Sequence, residues 1–146
     1  MNDLIKEFLK CKKIAYVGLS RSKTKFGNLF YQELIKRGYQ IYPLHREEKE
    51  INKIKCYPDL QSVRDNIEGI LINAKPKNVI PLLKELSALN IKNIWLQWGA
   101  ESKEVYEVAK NLGLDIITKK CILMYAEQVH GIHKSHRTLS KLFGKL

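Results

Sequence analysis

Residues 13–28 read KIAYVGLSRSKTKFGN. A short β-branched and apolar run ends at Gly18, crosses a loop rich in serine and cations, and enters a segment with helical apolar spacing. A strand that delivers a loop to a helix N-terminus presents backbone N–H groups without helical partners, together with the positive end of the helix dipole. Both favour an anion. Ser20, Arg21, Ser22, Lys23, Thr24 and Lys25 add hydroxyl donors and positive charge where a diphosphate would sit. The expected ligand therefore contains a nucleotide.

Working outward, apolar runs at Ile14–Val17, Ile41–Leu44, Ile70–Ile72, Ile94–Leu96 and Leu114–Ile117 have the length and branching of buried strands. Between them, three groups of residues recur at helical spacing: Phe26, Leu29, Phe30 and Leu34; Val79, Leu82, Leu83 and Leu86; Val105, Val108, Ala109 and Leu112. Gly38 and Gly113 are placed to stop two of these helices. The segment from Arg46 to Lys55 reads as a charged loop, with a break at Pro58 and a short helix around Leu60–Asn66. Strands alternating with helices imply a single doubly wound α/β domain of Rossmann-like type. Its parallel sheet would have about five strands, with helices on both faces. Residues 1–125 form this domain, including a short N-terminal amphipathic helix capped by Asn2 or Asp3. Residues 126–146 form a basic amphipathic helical extension.

Ligands of such sheets sit beyond the carboxyl ends of the strands, where strand order reverses. In the usual order this crevice lies between the first and fourth strands. The Gly18–Asn28 loop and Gln97, Trp98 and Gly99 would wall it, with Pro43, Leu44, His45 and Asn73, Ala74, Lys75, Pro76 nearby.

The chain has 146 residues, 45% of them hydrophobic, and no apolar run approaches the roughly 20 residues that cross a bilayer. The start, MNDLIKEFLKCKK, lacks a secretory h-region, so the cytoplasm is the expected location and no membrane partner is expected. Cys11, Cys56 and Cys121 are far apart and contain no C-x-x-C pair, which argues against a disulfide framework or zinc ribbon. Lys+Arg outnumber Asp+Glu 26 to 15, a net charge of +11 that suits nucleic acid, an anionic surface or a phosphorylated small molecule. Most lysines are spread along the sequence. The exception is the C-terminal end, where Lys119, Lys120, Lys134, Arg137, Lys141 and Lys145 face only Glu127.

Which nucleotide is narrowed by what the loop lacks. A dinucleotide fingerprint requires G-x-G-x-x-G and an acidic residue about 20 positions on. Here the next glycine after Gly18 is Gly27, and the second strand leads through Pro43 and Leu44 into His45 and Arg46. This disfavours NAD and leaves two ligands with an extra phosphate, NADP and coenzyme A. The P-loop motif G-x-x-x-x-G-K-[ST] is absent.

The motifs VGLSRS at 17–22, GYQIYP at 38–43, CYPDL at 56–60, IWLQWG at 94–99 and KKC at 119–121 stand in an order that resembles the small stand-alone CoA-binding domain proteins. These are single Rossmann-like domains related to the CoA-binding domain of the succinyl-CoA synthetase alpha subunit. The resemblance covers about residues 12–125, and some members also resemble the ending, with His133, His136-Arg137 and Gly144-Lys145-Leu146. It implies that Gly18, Ser20, Arg21 and Ser22 cradle the diphosphate with Lys25 nearby, and that Pro43 lies against the adenosine. His45 or Arg46 would reach the adenosine's phosphate, while Ala74, Lys75, Pro76 and Gln97 to Gly99 close over the rest. Two positions depart from the family pattern: Tyr42 replaces the frequent Asn before Pro43, and Asn73-Ala74-Lys75 replaces Phe-Arg.

Several residues have plainer readings. Trp95 and Trp98 could each stack on an adenine, but Trp95 alternates into the core, and Gln97 and Gly99 are the better candidates because a small residue lets backbone approach a ligand. Cys121 follows two lysines but reads as structural. His130, His133 and His136 recur every third residue without the i, i+4 spacing and companion ligands of a helical zinc site, so no metal is expected. Ile132, Leu139, Leu142 and Phe143 mark a helix that packs on the domain or on a second copy as a homodimer. The sequence thus reads as a module that binds coenzyme A or an acyl-CoA, with no catalytic residues assigned. An NADP-dependent oxidoreductase using Tyr125 or His130 as proton donor ranks second. A nucleic-acid-associated regulator ranks third, because interleaved aromatics and a helix-turn-helix are missing.

Overall fold

Three central strands are buried almost throughout, as expected of a parallel sheet covered on both faces. They are β1 (Lys13–Val17), β5 (Gly69–Ile72) and β6 (Ile94–Leu96) in a computed structural model that describes residues 3–22 and 26–126. With edge strands β2 (Gln40–Pro43) and β7 (Ile116–Ile117) they form one five-stranded sheet in the order β2-β1-β5-β6-β7, every pair parallel. Side chains alternate across it. Ile14, Tyr16, Leu71 and Trp95 point to one face, where α1 (Asp3–Leu9) and α2 (Phe26–Lys36) supply Ile5, Phe8, Phe30 and Leu34. Ala15, Ile70, Ile72, Ile94 and Leu96 point to the other, where α3 (Pro76–Ala88) and α4 (Lys103–Asn111) supply Val79, Leu83, Leu86, Val105 and Ala109. This is an α/β Rossmann-like fold.

The helix ends follow local chemistry. Pro76 occupies the first position of α3, where its missing N–H costs no helical bond. Ser102 caps α4, its Oγ accepting from the Val105 amide at 3.1 Å. The expected boundaries are close, with three differences. The expected Arg46–Lys55 loop contains an antiparallel hairpin, β3 (Glu50–Ile51) and β4 (Ile54–Lys55), turning through Asn52 and Lys53 at positive φ. The helix expected over Leu60–Asn66 is only a 3-10 turn at Arg64–Asn66. Finally, strand order reverses between β1 and β5, so the crevice lies between the first and third strands of the main sheet, not the first and fourth. Parallel pairing is legible from apolar runs, whereas the neighbour of β1 depends on which helix covers which face.

Among the described residues, no helix is long and apolar enough to cross a membrane. The proposed extension, with its homodimer contact and His130, His133 and His136, lies outside the described residues from position 127 onward.

Candidate functional site

Two glycines let β1 and α2 meet directly at the strand-order reversal. Gly18 adopts φ +150°, and a Cβ there would lie 2.6 Å from the Tyr16 hydroxyl oxygen and 3.0 Å from Asn73 Cβ. Gly27, the second residue of α2, approaches so closely that a Cβ would stand 2.0 Å from the Gly18 carbonyl oxygen. Gly18 is thus needed for its backbone angle and Gly27 for contact. Beneath them the Tyr16 hydroxyl donates to the Gly27 carbonyl at 2.8 Å and meets the Asn73 side chain. Burial pushes the Tyr16 pKa well above its ordinary value, so the phenol remains a neutral strut.

Asn28 shapes the loop. Its Oδ1 accepts from the Ser20 amide at 2.8 Å, and its Nδ2 donates to the carbonyls of Ser20 at 2.6 Å and Ser22 at 3.1 Å. The Ser20 Oγ accepts from the Ser22 amide at 3.2 Å. The loop is therefore folded back over the start of α2, whose first amides point outward by helical geometry. Gly27, Asn28 and Tyr16 were not expected as site residues. A Gly-Asn pair at the start of a helical stripe, nine residues beyond Gly18, is the signal that could have found the first two.

The hairpin buttresses the loop from outside. Leu19 packs with Ile51 and Cys56 in a small separate core, and Arg21 pairs with Glu48. His45 Nδ1 accepts from the amides of Glu47 and Glu48 at 3.2 and 3.0 Å, which leaves its proton on Nε2 as a donor. His45 and Arg46 line a cleft of about 410 Å³ with Val17, Leu44, Asn78 and Pro81.

On the other side, a cavity of about 320 Å³ is lined by Phe26 and Phe30 of α2, Asn73, Trp98, Cys121 and Tyr125, among others. Trp95 is fully buried, as expected, and its indole donates to the Lys120 carbonyl at 3.0 Å. Gln97 also lines the cavity, but its side chain is tied on both ends. Nε2 donates to Cys121 Sγ at 3.0 Å, and Oε1 accepts from the Ile122 amide at 3.0 Å. Gln97 thus holds the segment that carries Cys121 in place.

The expected residues sort accordingly. Gly18, Ser20, Arg21 and Ser22 share the loop between β1 and α2, His45 and Arg46 line one cleft, and Gln97 lines the other space. Pro43 is buried opposite Tyr16 in the sheet, and Ala74, Lys75 and Pro76 lead into α3; none of the four lines either space. Gly99 was expected to allow close backbone approach. It stands in a turn at φ +98°, and a Cβ there would meet no other protein atom within 4 Å. Lys25 lies outside the described residues. Among the described residues, no three His, Cys, Asp or Glu side chains are grouped to hold a metal.

A glycine-hinged strand-loop-helix junction at the reversal point of a parallel sheet defines the class of Rossmann-like domains. Residues 12–127 match the CoA binding domain family, and the chain belongs to it. It is similar to a conserved hypothetical protein from Pyrococcus furiosus, with 30% identity, a TM-score of 0.70, and coverage of 76% of this chain and 96% of that one. It is also similar to an ADP-forming acetate–CoA ligase of Methanocaldococcus jannaschii, at 27% identity over 92% of this chain, and spans only 19% of that enzyme's length. An uncharacterized protein of Bacillus subtilis is 25% identical, with 81% of this chain and 88% of that protein covered.

Proposed function

We propose that the chain binds coenzyme A or an acyl-CoA, holding the diphosphate on the Gly18–Ser22 loop and the start of α2. The observation that carries this reading is the Gly18–Gly27 contact, which aims the loop and helix N-terminus at a point flanked by two separate spaces. A diphosphate held there sends its two halves in different directions. The cleft beside His45 and Arg46, which Glu47, Asp59 and Glu85 also line, offers an Nε2 donor and a cation to the 3′-phosphoadenosine half. The family membership supports the same ligand. The role is binding, and no reaction is assigned to these residues.

Calorimetric titration of ligand-stripped protein with coenzyme A, dephospho-CoA, NADPH and NAD tests it. The expected result is saturable binding of coenzyme A, weakened when the 3′-phosphate is missing. Binding of NADPH without coenzyme A would overturn the reading in favour of an oxidoreductase.

A further inference from the structure

If the adenosine half takes the His45 side, the pantetheine arm enters the 320 Å³ cavity, whose far wall carries information about what can be attached to the arm's sulfur. We infer that this cavity sets a ceiling on acyl length: it admits short acyl groups and excludes long ones, with Phe30, Met124 and Tyr125 as the limiting residues. The inference rests on the proposed coenzyme A reading and goes further by naming the ligand class.

The volume comes first. A space of about 320 Å³ is at the lower end of the roughly 300–1,000 Å³ typical of small-molecule sites. A pantetheine arm fills most of it and leaves room for a few carbons beyond the sulfur. The lining suits those carbons, since Phe26, Phe30, Trp98, Met124 and Tyr125 are aromatic or apolar.

The second argument is rigidity, because a soft wall would set no limit. Phe30 is buried on α2. Tyr125 packs its ring 5.7 Å from that of buried Trp95, which in turn meets Phe8 at 5.2 Å. Arg37, itself fully buried, donates through Nη1 to the carbonyls of Leu123 at 3.0 Å and Ala126 at 2.6 Å, on either side of Met124 and Tyr125. Its Nε bonds Glu33 at 3.1 Å, fixing the guanidinium to the same helix that begins at the cradle. Gln97 ties Cys121 and Ile122 at the near end of that segment. The wall is therefore anchored at both ends and backed by the core, and close-packed interiors yield poorly to added methylenes.

Full-length protein would be titrated with coenzyme A and its acetyl, butyryl, hexanoyl and dodecanoyl thioesters. Each methylene that finds a place should tighten binding roughly fourfold. Affinity should rise to an optimum at or below four carbons, then fall by at least about tenfold at twelve. Met124→Ala, or Phe30→Leu should the first variant fold poorly, should move the optimum to longer chains when each variant's acyl series is read relative to its own affinity for coenzyme A. Alkylation of Cys121 by iodoacetamide, followed by mass spectrometry, reports whether the arm occupies the cavity; acetyl-coenzyme A, which has no free thiol to consume the reagent, should slow it. If coenzyme A does not bind at all, the underlying reading fails. If it binds but the acyl series is flat, tightens through twelve carbons or already weakens at acetyl, the length ceiling is wrong. If acetyl-coenzyme A binds and leaves Cys121 alkylation unchanged, the arm lies elsewhere and the inference is likewise overturned.

Discussion

The two ends of the sheet handle the same problem in opposite ways. At the amino-terminal end, backbone amides face an anion that the chain supplies. Glu68 accepts from the amides of Lys12 at 2.7 Å and Lys13 at 3.0 Å, and these bonds hold its carboxyl below the ordinary range. Asn93 donates to the Glu68 carbonyl at 3.0 Å, and a Cβ on neighbouring Gly69 would lie 3.0 Å from Asn93. The Cys11 thiol donates to the same Glu68 carbonyl at 3.4 Å, and burial pushes its pKa up to about 11. At the carboxyl-terminal end, Gly18 and Gly27 form an equally close junction, but the loop's Ser20 and Ser22 amides are held by neutral oxygens, Asn28 Oδ1 and Ser20 Oγ. One end closes on an internal carboxylate; the other closes on neutral side chains, and it is there that the anion of the proposed ligand would sit.

The sharpest way to break this contrast is Gly27→Ala. With a methyl only 2.0 Å from the Gly18 carbonyl oxygen, the strand and helix must separate. Coenzyme A affinity should fall more than about a hundredfold and stability by about 3 kcal/mol, measured by calorimetry and denaturant unfolding. Arg21→Ala should be milder: affinity weakened about tenfold, with a shallower salt dependence and an unchanged melting temperature. Glu48→Gln should act in the opposite direction. Glu48 engages Arg21, so removing its charge frees the arginine and spares the phosphates a repulsive neighbour. Affinity should improve about two- to fivefold at low salt, and no gain would show that Arg21 does not face the ligand.

The smallest effect belongs to the opposite end. Glu68→Gln should leave coenzyme A binding unchanged and lower stability at neutral pH by under about 1 kcal/mol, since the carboxylate is exposed. Its pH dependence has a definite sign. The folded-state pKa lies below the unfolded value, so the contribution is full above the ordinary carboxylate pKa of about 4.3. It is lost as pH falls through the lower folded value. Urea unfolding at pH 7 and pH 3 should show wild type and Glu68→Gln converging in acid.

Much of the cradle was legible because its requirements are local. A strand ending in glycine, followed by hydroxyls and cations and then an apolar helical stripe, specifies a backbone path and its chemistry within sixteen residues. The periodicity of β1, β5 and β6 likewise predicted which side chains are buried, down to Trp95 inward and Trp98 at the surface, the latter 48% exposed. Gly99 and Pro43 show the limit: residue type suggested contact with a ligand, whereas only the structure tells that Gly99 stands in a turn and Pro43 is buried in the sheet.

What the sequence determined by itself was the class of fold, the strand-loop-helix junction and the family, since each depends on neighbours along the chain. Tertiary structure alone decided that β1 stands beside β5, that a hairpin inside a charged segment supports Leu19 and sets Glu48 against Arg21, and that Arg37 anchors a wall of the cavity from 86 and 89 residues away. The physical reason is that these contacts join residues distant in sequence. A buried guanidinium finds its acceptors only after two helical faces and a sheet have closed around it, and no local periodicity records that meeting.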